Sequence, residues 1–302
     1  MKYNWSIIGH ENQLNKLEKD IETGNLAHSY LMAGPNSVGK YTVAKKLAGI
    51  LQCENNFCHK CPTCIQIRKG SHIDTMEFKD DKKSIGIADV KSIIERLHMT
   101  PQAPYKVLLI QSVERMTIEA ANSFLKTLEE PPPGTIILLT TNNLRDVLTT
   151  IVSRVRTITF GVMSVNYLSA KIRELYPDSD DDQIRKACLF SLGKTGKAVQ
   201  LIRKPEALSE HIKAYHDIQG FVNHNNTVDR FAYVNEIIED PKKIELFYNL
   251  LSQILRSRML EEKSYEVQKK YIKTLSKIAD AGMLSKGNVN LRLFLENLIL
   301  SL

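Results

Sequence analysis

Apolar residues follow two rhythms along the chain, and the change between them divides it. Up to about residue 160, short solid apolar runs alternate with stretches whose apolar positions recur every three or four residues. The runs at 29–33, 106–110 and 135–139 predict buried strands, 74–78 reads as a further strand, and 157–160 closes this part as a short one. Between them, Ile7, Ile8, Leu14, Leu17 and Ile21 predict a helix after Gly9-His10, closed by Gly24-Asn25. A second helix is predicted from Val43 to Leu51. A third covers 88–99, with Val90, Ile93, Ile94 and Leu97 on one face. A fourth covers 120–130 and stops at Pro131-Pro132-Pro133-Gly134, where proline can neither donate a hydrogen bond nor continue the helix. From residue 163 the strands cease. Helices are predicted at 167–175, 181–192 and 198–202, with residues 193–197 as a break, and 206–302 reads as helical almost throughout. Ile244, Phe247, Leu251 and Leu255 form one amphipathic face there. Leu291, Phe294, Leu295, Leu298 and Leu302 form another. Such faces serve as core or subunit interface, and periodicity does not separate the two.

Composition narrows the class. The 302 residues are 43% hydrophobic and 25% charged, as in an ordinary globular protein with two or three domains. No apolar run reaches the ~18 residues of a membrane span. The start, MKYNWSIIGHENQ, lacks a signal-peptide core, so a cytoplasmic protein is expected. The net charge of +7 suits a polyanionic partner such as nucleic acid and equally an ordinary basic surface. It is spread along the chain without a basic tail. The run at 79–83 reads as a solvated loop.

The stretch from Leu31 to Thr42, LMAGPNSVGKYT, carries the first candidate chemistry. It reads as strand, glycine-rich loop and helix, the context of a phosphate-binding P-loop. Gly34 and Gly39 let backbone N–H groups approach phosphates, Lys40 offers a charge, and the helix N-terminus adds its dipole. The residue after the lysine should be a Ser or Thr that holds Mg²⁺. It is Tyr41, and Thr42 comes one residue late. The strand at 106–110 should end in carboxylates that hold the metal and orient water. It ends in Gln111-Ser112, with Glu114 two residues beyond the strand tip. Losses in two distant segments argue against hydrolysis by this chain. Thr140, Thr141, Asn142 and Asn143 end the fourth strand and are expected at the ligand crevice.

Four of the five cysteines, Cys53, Cys58, Cys61 and Cys64, lie within twelve residues with C-x4-C-x2-C-x2-C spacing. In a cytoplasmic chain such a cluster points to metal rather than disulfides. Four thiolates close a tetrahedral Zn²⁺ site and leave no open position for catalysis. His59 and His72 are nearby but unneeded. Cys188 sits in an apolar helical pattern and is assigned to the core.

Taken together, these motifs resemble the AAA+ clamp-loader subunits of bacterial DNA polymerase III. The resemblance rests on His28-Ser29-Tyr30-Leu31 before the P-loop, the four-cysteine module after its helix, the string from Ala121 to Pro132 (ANSFLKTLEEPP), and Ser153-Arg154. It implies an α/β P-loop AAA+ domain over 1–162 with a zinc module at 53–64. A small helical lid over 163–205 and an all-α collar domain over 206–302 follow. With Tyr41, Gln111 and Ser112 at the metal and water positions, the chain resembles the delta-prime type, whose nucleotide site has decayed. That type assembles with gamma/tau and delta subunits into a ring that loads the sliding clamp on primed DNA, without regard to sequence. It presents an arginine finger, here Arg154, to a neighbour's ATP, with Arg156 as the local competitor. Gly34, Gly39, Lys40 and Thr42 would form a degenerate cradle, and Lys197 falls where the lid carries a nucleotide-sensing basic residue. The alternative is a gamma/tau-type ATPase whose metal is held by Thr42 and Glu114.

Overall fold

The computed structural model describes residues 2, 3, 5–79, 84–223, 227–284 and 291–299. Residues 80–83 of the charge run and Leu302 of the last apolar face lie outside the described residues. Two compact units, 1–200 and 201–302, divide the chain.

In the first unit the predicted strands form as β1 (Ser29–Ala33), β2 (Thr75–Phe78), β3 (Lys106–Ile110), β4 (Thr135–Thr141) and β5 (Arg156–Thr159). All pair in parallel in the order β2-β3-β4-β1-β5. The helices are α1 (Glu11–Glu22), α2 (Lys40–Gln52), α3 (Pro62–Lys69), α4 (Ile87–Leu97), α5 (Ile118–Glu129) and the short α6 (Thr149–Val152). Successive side chains of a strand point to opposite faces, so the sheet builds two cores. Tyr30, Met32, Val107, Leu109 and Leu138 pack with Leu14, Leu17, Val43 and Leu47 on one face. Leu31, Leu108, Ile110, Ile137 and Leu139 pack with Val90, Ile93, Phe124 and Leu128 on the other. The central strands β1, β3 and β4 are buried throughout, which explains their solid apolar runs. β1 lies inside the sheet, so the loop that leaves it opens beside the tips of β4 and β3.

Three helices follow: α7 (Val165–Leu175), α8 (Asp181–Phe190) and α9 (Thr195–Arg203). Cys188 is fully buried. The predicted break at 193–197 is corrected in part, because Thr195, Gly196 and Lys197 form the first turn of α9. The Thr195 hydroxyl and the Gly196 N–H donate to carbonyls of the 34–40 loop, and this partnering offsets the helix propensity lost at glycine. The second unit is helical: α10 (Pro205–Asn223), α11 (Thr227–Ile237), α12 (Pro241–Glu261), α13 (Tyr265–Leu284) and α14 (Leu291–Ile299). Ile244, Phe247, Leu251 and Leu255 are buried along α12, as are Leu295 and Leu298 on α14. Among the described residues, no helix is long and apolar enough to cross a membrane.

Candidate functional site

The loop after β1 needs its glycines. Gly34 has φ 150°, and a Cβ there would lie 2.1 Å from the Phe160 carbonyl oxygen. Gly39 has φ 100° and starts α2. Lys40, the first residue of that helix, is only 6% exposed. Its ammonium donates to the carbonyls of Gly34 (2.7 Å) and Pro35 (2.6 Å) and to Asn142 Oδ1 (3.2 Å). Burial lowers its pKa to about 8, with the Glu114 carboxylate pulling the other way. From α9, Thr195 Oγ1 donates to the Val38 carbonyl (2.9 Å) and the Gly196 N–H to that of Ser37 (2.7 Å). A Cβ at Gly196 would come within 2.8 Å of that Ser37 oxygen, so the close approach requires glycine. His10 Nε2 lies 3.0 Å from the Val38 carbonyl, and burial lowers the pKa of its ring.

These elements bound a cleft of about 230 Å³, with Lys40, Thr42, Gln111, Ser112 and Asn142 in its wall. Tyr41 also lines it, but its hydroxyl donates to Glu77 Oε2 on β2 (2.7 Å). The Lys45 ammonium meets the same carboxylate at 2.8 Å. Burial and the Glu77 bond raise the Tyr41 pKa far above the ordinary phenol range. The hydroxyl in the metal-ligand slot is therefore engaged at the sheet edge. Thr42 is exposed at the cleft.

Glu114 is closer to the cleft than its sequence position implies. A 3-10 turn over Val113–Arg115 follows β3. It lets Glu114 Oε1 accept from the Asn142 N–H (3.1 Å), while Oε2 is buried without a hydrogen-bond partner among the described residues. Ser112 N–H donates to Thr140 Oγ1 (3.1 Å). Asn142 thus joins the Lys40 and Glu114 contacts, as the polar end of the fourth strand predicts. Lys40 and the N-terminus of α2 at this cleft suit an anion, and the nearby Glu114 carboxylate opposes one. Neither Gln111 nor Ser112 supplies a carboxylate for a metal-activated water. Lys197 follows Gly196 in the first turn of α9, half-buried.

The cysteine cluster is a second candidate site. Sulphur pairs 53–58, 53–61 and 58–64 lie 3.9, 3.7 and 3.9 Å apart, and all four Sγ atoms fall within 4.8 Å. Four sulphurs at the ~2.3 Å zinc–sulphur distance would form a tetrahedron with edges of about 3.8 Å. The cluster therefore fits a metal ion and can hold one. Backbone N–H groups of Cys61 and Cys64 donate to the sulphurs of Cys58 and Cys61, both at 3.4 Å. Those from Lys60 and Cys61 pull the Cys58 thiol down to about 6. The sequence reading missed α3, which starts with Pro62 after a Cys61 cap, a recognisable pairing. Phe57 is buried against Gly49 of α2, where a Cβ would lie 2.3 Å from its ring. His72 bonds to Thr75 Oγ1 instead of joining the cluster.

Arg154 lies just after α6. Its Nε and Nη2 meet Glu129 Oε1 at 2.6 and 2.5 Å, and Nη1 donates to the Thr150 carbonyl at 2.9 Å. Its side chain is 32% exposed. Arg156 points elsewhere, to Asp20 Oδ2 at 2.8 Å.

Comparison with known proteins agrees with this geometry. The model of the family "DNA polymerase III, delta subunit" matches residues 9–164. DNA polymerase III subunit gamma of Buchnera aphidicola (subspecies Acyrthosiphon pisum) is 26% identical over 272 residues, 84% of this chain and 73% of that protein. Subunit tau of Escherichia coli K12 is 32% identical over 153 residues, 49% of this chain and 24% of that one. A DNA polymerase III gamma subunit-related protein of Thermotoga maritima shares the fold, with TM-score 0.51 and 22% identity over 95% of this chain and 97% of that chain. With a family model spanning just over half of its 302 residues, the chain belongs to the DNA polymerase III clamp-loader family.

Proposed function

We propose that this clamp-loader subunit is the non-hydrolysing, delta-prime type. In this reading it assembles in the cytoplasm with gamma/tau and delta subunits. It supplies Arg154 to a neighbour's ATP during loading of the sliding clamp on primed DNA. One observation carries the reading. The slot after Lys40 holds a phenol whose hydroxyl is bound to Glu77, while the tip of β3 offers Gln111 and Ser112. The cleft retains Gly34, Gly39, Lys40 and Thr42, enough for weak phosphate binding. A guanidinium supplied in trans stabilises charge on a transferring phosphoryl group and ties hydrolysis to correct subunit packing. Arg154 suits this role, being partly exposed, with an exposed carboxylate as its ion-pair partner and the Thr150 carbonyl as its other anchor. Zn²⁺ at Cys53, Cys58, Cys61 and Cys64 would be structural, and the 163–205 and 206–302 segments would act as lid and collar.

A second reading is a gamma/tau-type ATPase. The curated relatives favour it, being gamma and tau subunits. So does Glu114, whose carboxylate accepts from the N–H of Asn142 in the cleft wall. Titration of the purified chain with Mg-ATP, followed by phosphate release in the same buffer, separates the two. The first reading expects weak or no binding and no turnover. Mg²⁺-dependent turnover lost in Lys40→Ala would establish the second.

A further inference from the structure

The first unit carries a second groove, away from the nucleotide cleft, along the free edge of the sheet. Among the described residues, β5 pairs with β1 on one side only. The Phe160 N–H donates to the Ala33 carbonyl (2.7 Å), which fixes the alternation of the strand. Main-chain groups of Arg156 and Ile158 face β1, and those of Thr157 and Thr159 face outward. Gln13 of α1 already occupies one of them, its Nε2 donating to the Thr159 carbonyl at 2.8 Å. The N–H and C=O of Thr157 and the N–H of Thr159 remain, without partners among the described residues. A groove of about 500 Å³ runs beside them, flanked by Lys16 and Lys19 of α1. Both lysines are exposed and have no ion-pair partner among the described residues. The acid in the groove, Asp20, is committed to Arg156 (2.8 Å) and to the Tyr30 hydroxyl (2.9 Å).

We infer that this edge is a docking site for an extended acidic segment of a partner protein, which adds beside β5 as a sixth strand. Main-chain pairing to Thr157 and Thr159 supplies affinity, as in other strand additions. Carboxylates opposite Lys16 and Lys19 supply selectivity. A nucleic-acid strand fits less well. Its sugar-phosphate backbone accepts hydrogen bonds but has no N–H to satisfy the outward Thr157 carbonyl, whereas a peptide offers donors and acceptors in alternation. The two lysines sit on the flanking helix rather than on the strand. They attract a matching segment without blocking the edge, unlike the charges proteins place on edge strands to prevent pairing. The inference uses no residue of the nucleotide cleft.

The test is a fluorescence-anisotropy titration of the full chain with a short labelled peptide alternating Asp or Glu with Val or Thr. Saturable binding is expected. It should weaken about tenfold in the Lys16→Glu/Lys19→Glu variant, the effect of reversing two exposed charges. It should disappear when alternate peptide nitrogens are methylated. Hydrogen exchange at Thr157 and Thr159 should slow on binding. A thermal melt of the variant should match that of the parent, since both lysines are exposed. No binding, or equal binding of the methylated peptide, would overturn the proposal. So would a short single-stranded DNA that binds with the same lysine dependence while the peptide does not, which would make the groove a nucleic-acid contact.

Discussion

Stripping metal from the four-cysteine cluster should loosen the first unit from one end of α2. Structural zinc contributes roughly 10–16 kcal/mol in small peptides, while a whole domain is stable by only ~5–15 kcal/mol. Without metal the 53–70 segment keeps chiefly its packing through Phe57, Cys64 and Ile67 and a bond from Lys45 to the Arg68 carbonyl. Its helix α3 has 8 residues, short of the ~12–15 at which an isolated helix becomes marginal in water. The consequence reaches the core through Phe57, whose ring lies on Gly49, and through the buried Cys53 and Cys64. Withdrawing a buried phenylalanine and leaving its cavity costs about 3–5 kcal/mol. For a unit of this size that lowers the melting temperature by about 10 °C. The single tryptophan, Trp5, reports the change, because it is buried in the same core cluster with its Nε1–H on Glu18 Oε1 at 2.9 Å. The assay is a Trp5-fluorescence melt under reducing conditions, with and without chelator, paired with limited proteolysis across 53–70. The pH dependence has a definite sign. The Cys58 thiol ionises at about 6 in the folded chain, against 9.0 ordinarily. In the metal-free chain the contribution of that ionisation is complete above the ordinary value and is lost as pH falls through about 6, and protons compete with metal for the thiolates, so metal retention should fall toward acid pH. An unchanged melt and digestion pattern in chelator, with all four thiols reactive, would refute the reasoning.

Three further outcomes follow from the cleft and its supports. Binding of metal-free ATP, if retained, needs the cationic form of Lys40, so affinity measured by calorimetry should fall as pH rises through about 8. A flat profile would remove Lys40 from the phosphate site. Glu77→Gln leaves Lys45 and the Tyr41 hydroxyl beside a weaker acceptor at a position whose side chain is 4% exposed. It should cost about 3 kcal/mol in a urea melt, the low end for a broken buried pair, and less when Tyr41→Phe is already present. Gly34→Ala drives a Cβ to 2.1 Å from the Phe160 carbonyl at positive φ, so the chain should lose several kcal/mol, about the upper range of single substitutions.

Much of this was legible in the order of residues because the central strands are buried on both faces. Solid apolar runs then mark β1, β3 and β4 without ambiguity from a solvated side, while the more exposed β2 and β5 show as shorter mixed runs at the edges. The cysteine spacing was legible for a chemical reason, since thiols so dense in sequence can converge without help from the fold. What escaped was contact between distant segments. Nothing near Tyr41 announces Glu77, which lies on the opposite edge strand. Counting residues from the tip of β3 put Glu114 beyond the cleft, but a 3-10 turn brings it back to Asn142. The start of α9 was read as a break because Gly196 argues against helix. Its role is close approach to Ser37, which only the folded chain reveals. The Arg154 contact with Glu129 likewise joins two helix ends that sequence periodicity does not relate.

In the proposed reading this subunit acts in trans through Arg154 and not in cis through Lys40. The most direct measurement is the DNA- and clamp-stimulated ATPase of a clamp loader reconstituted with Lys40→Ala or Arg154→Ala chains. Lys40→Ala should leave the rate unchanged. Arg154→Ala should leave assembly intact but slow hydrolysis at the facing site by up to ~10³–10⁵, the worth of such an arginine in other NTPases. The reverse pattern, a rate sensitive to Lys40 and indifferent to Arg154, would contradict this reading and assign the chain to the hydrolysing branch.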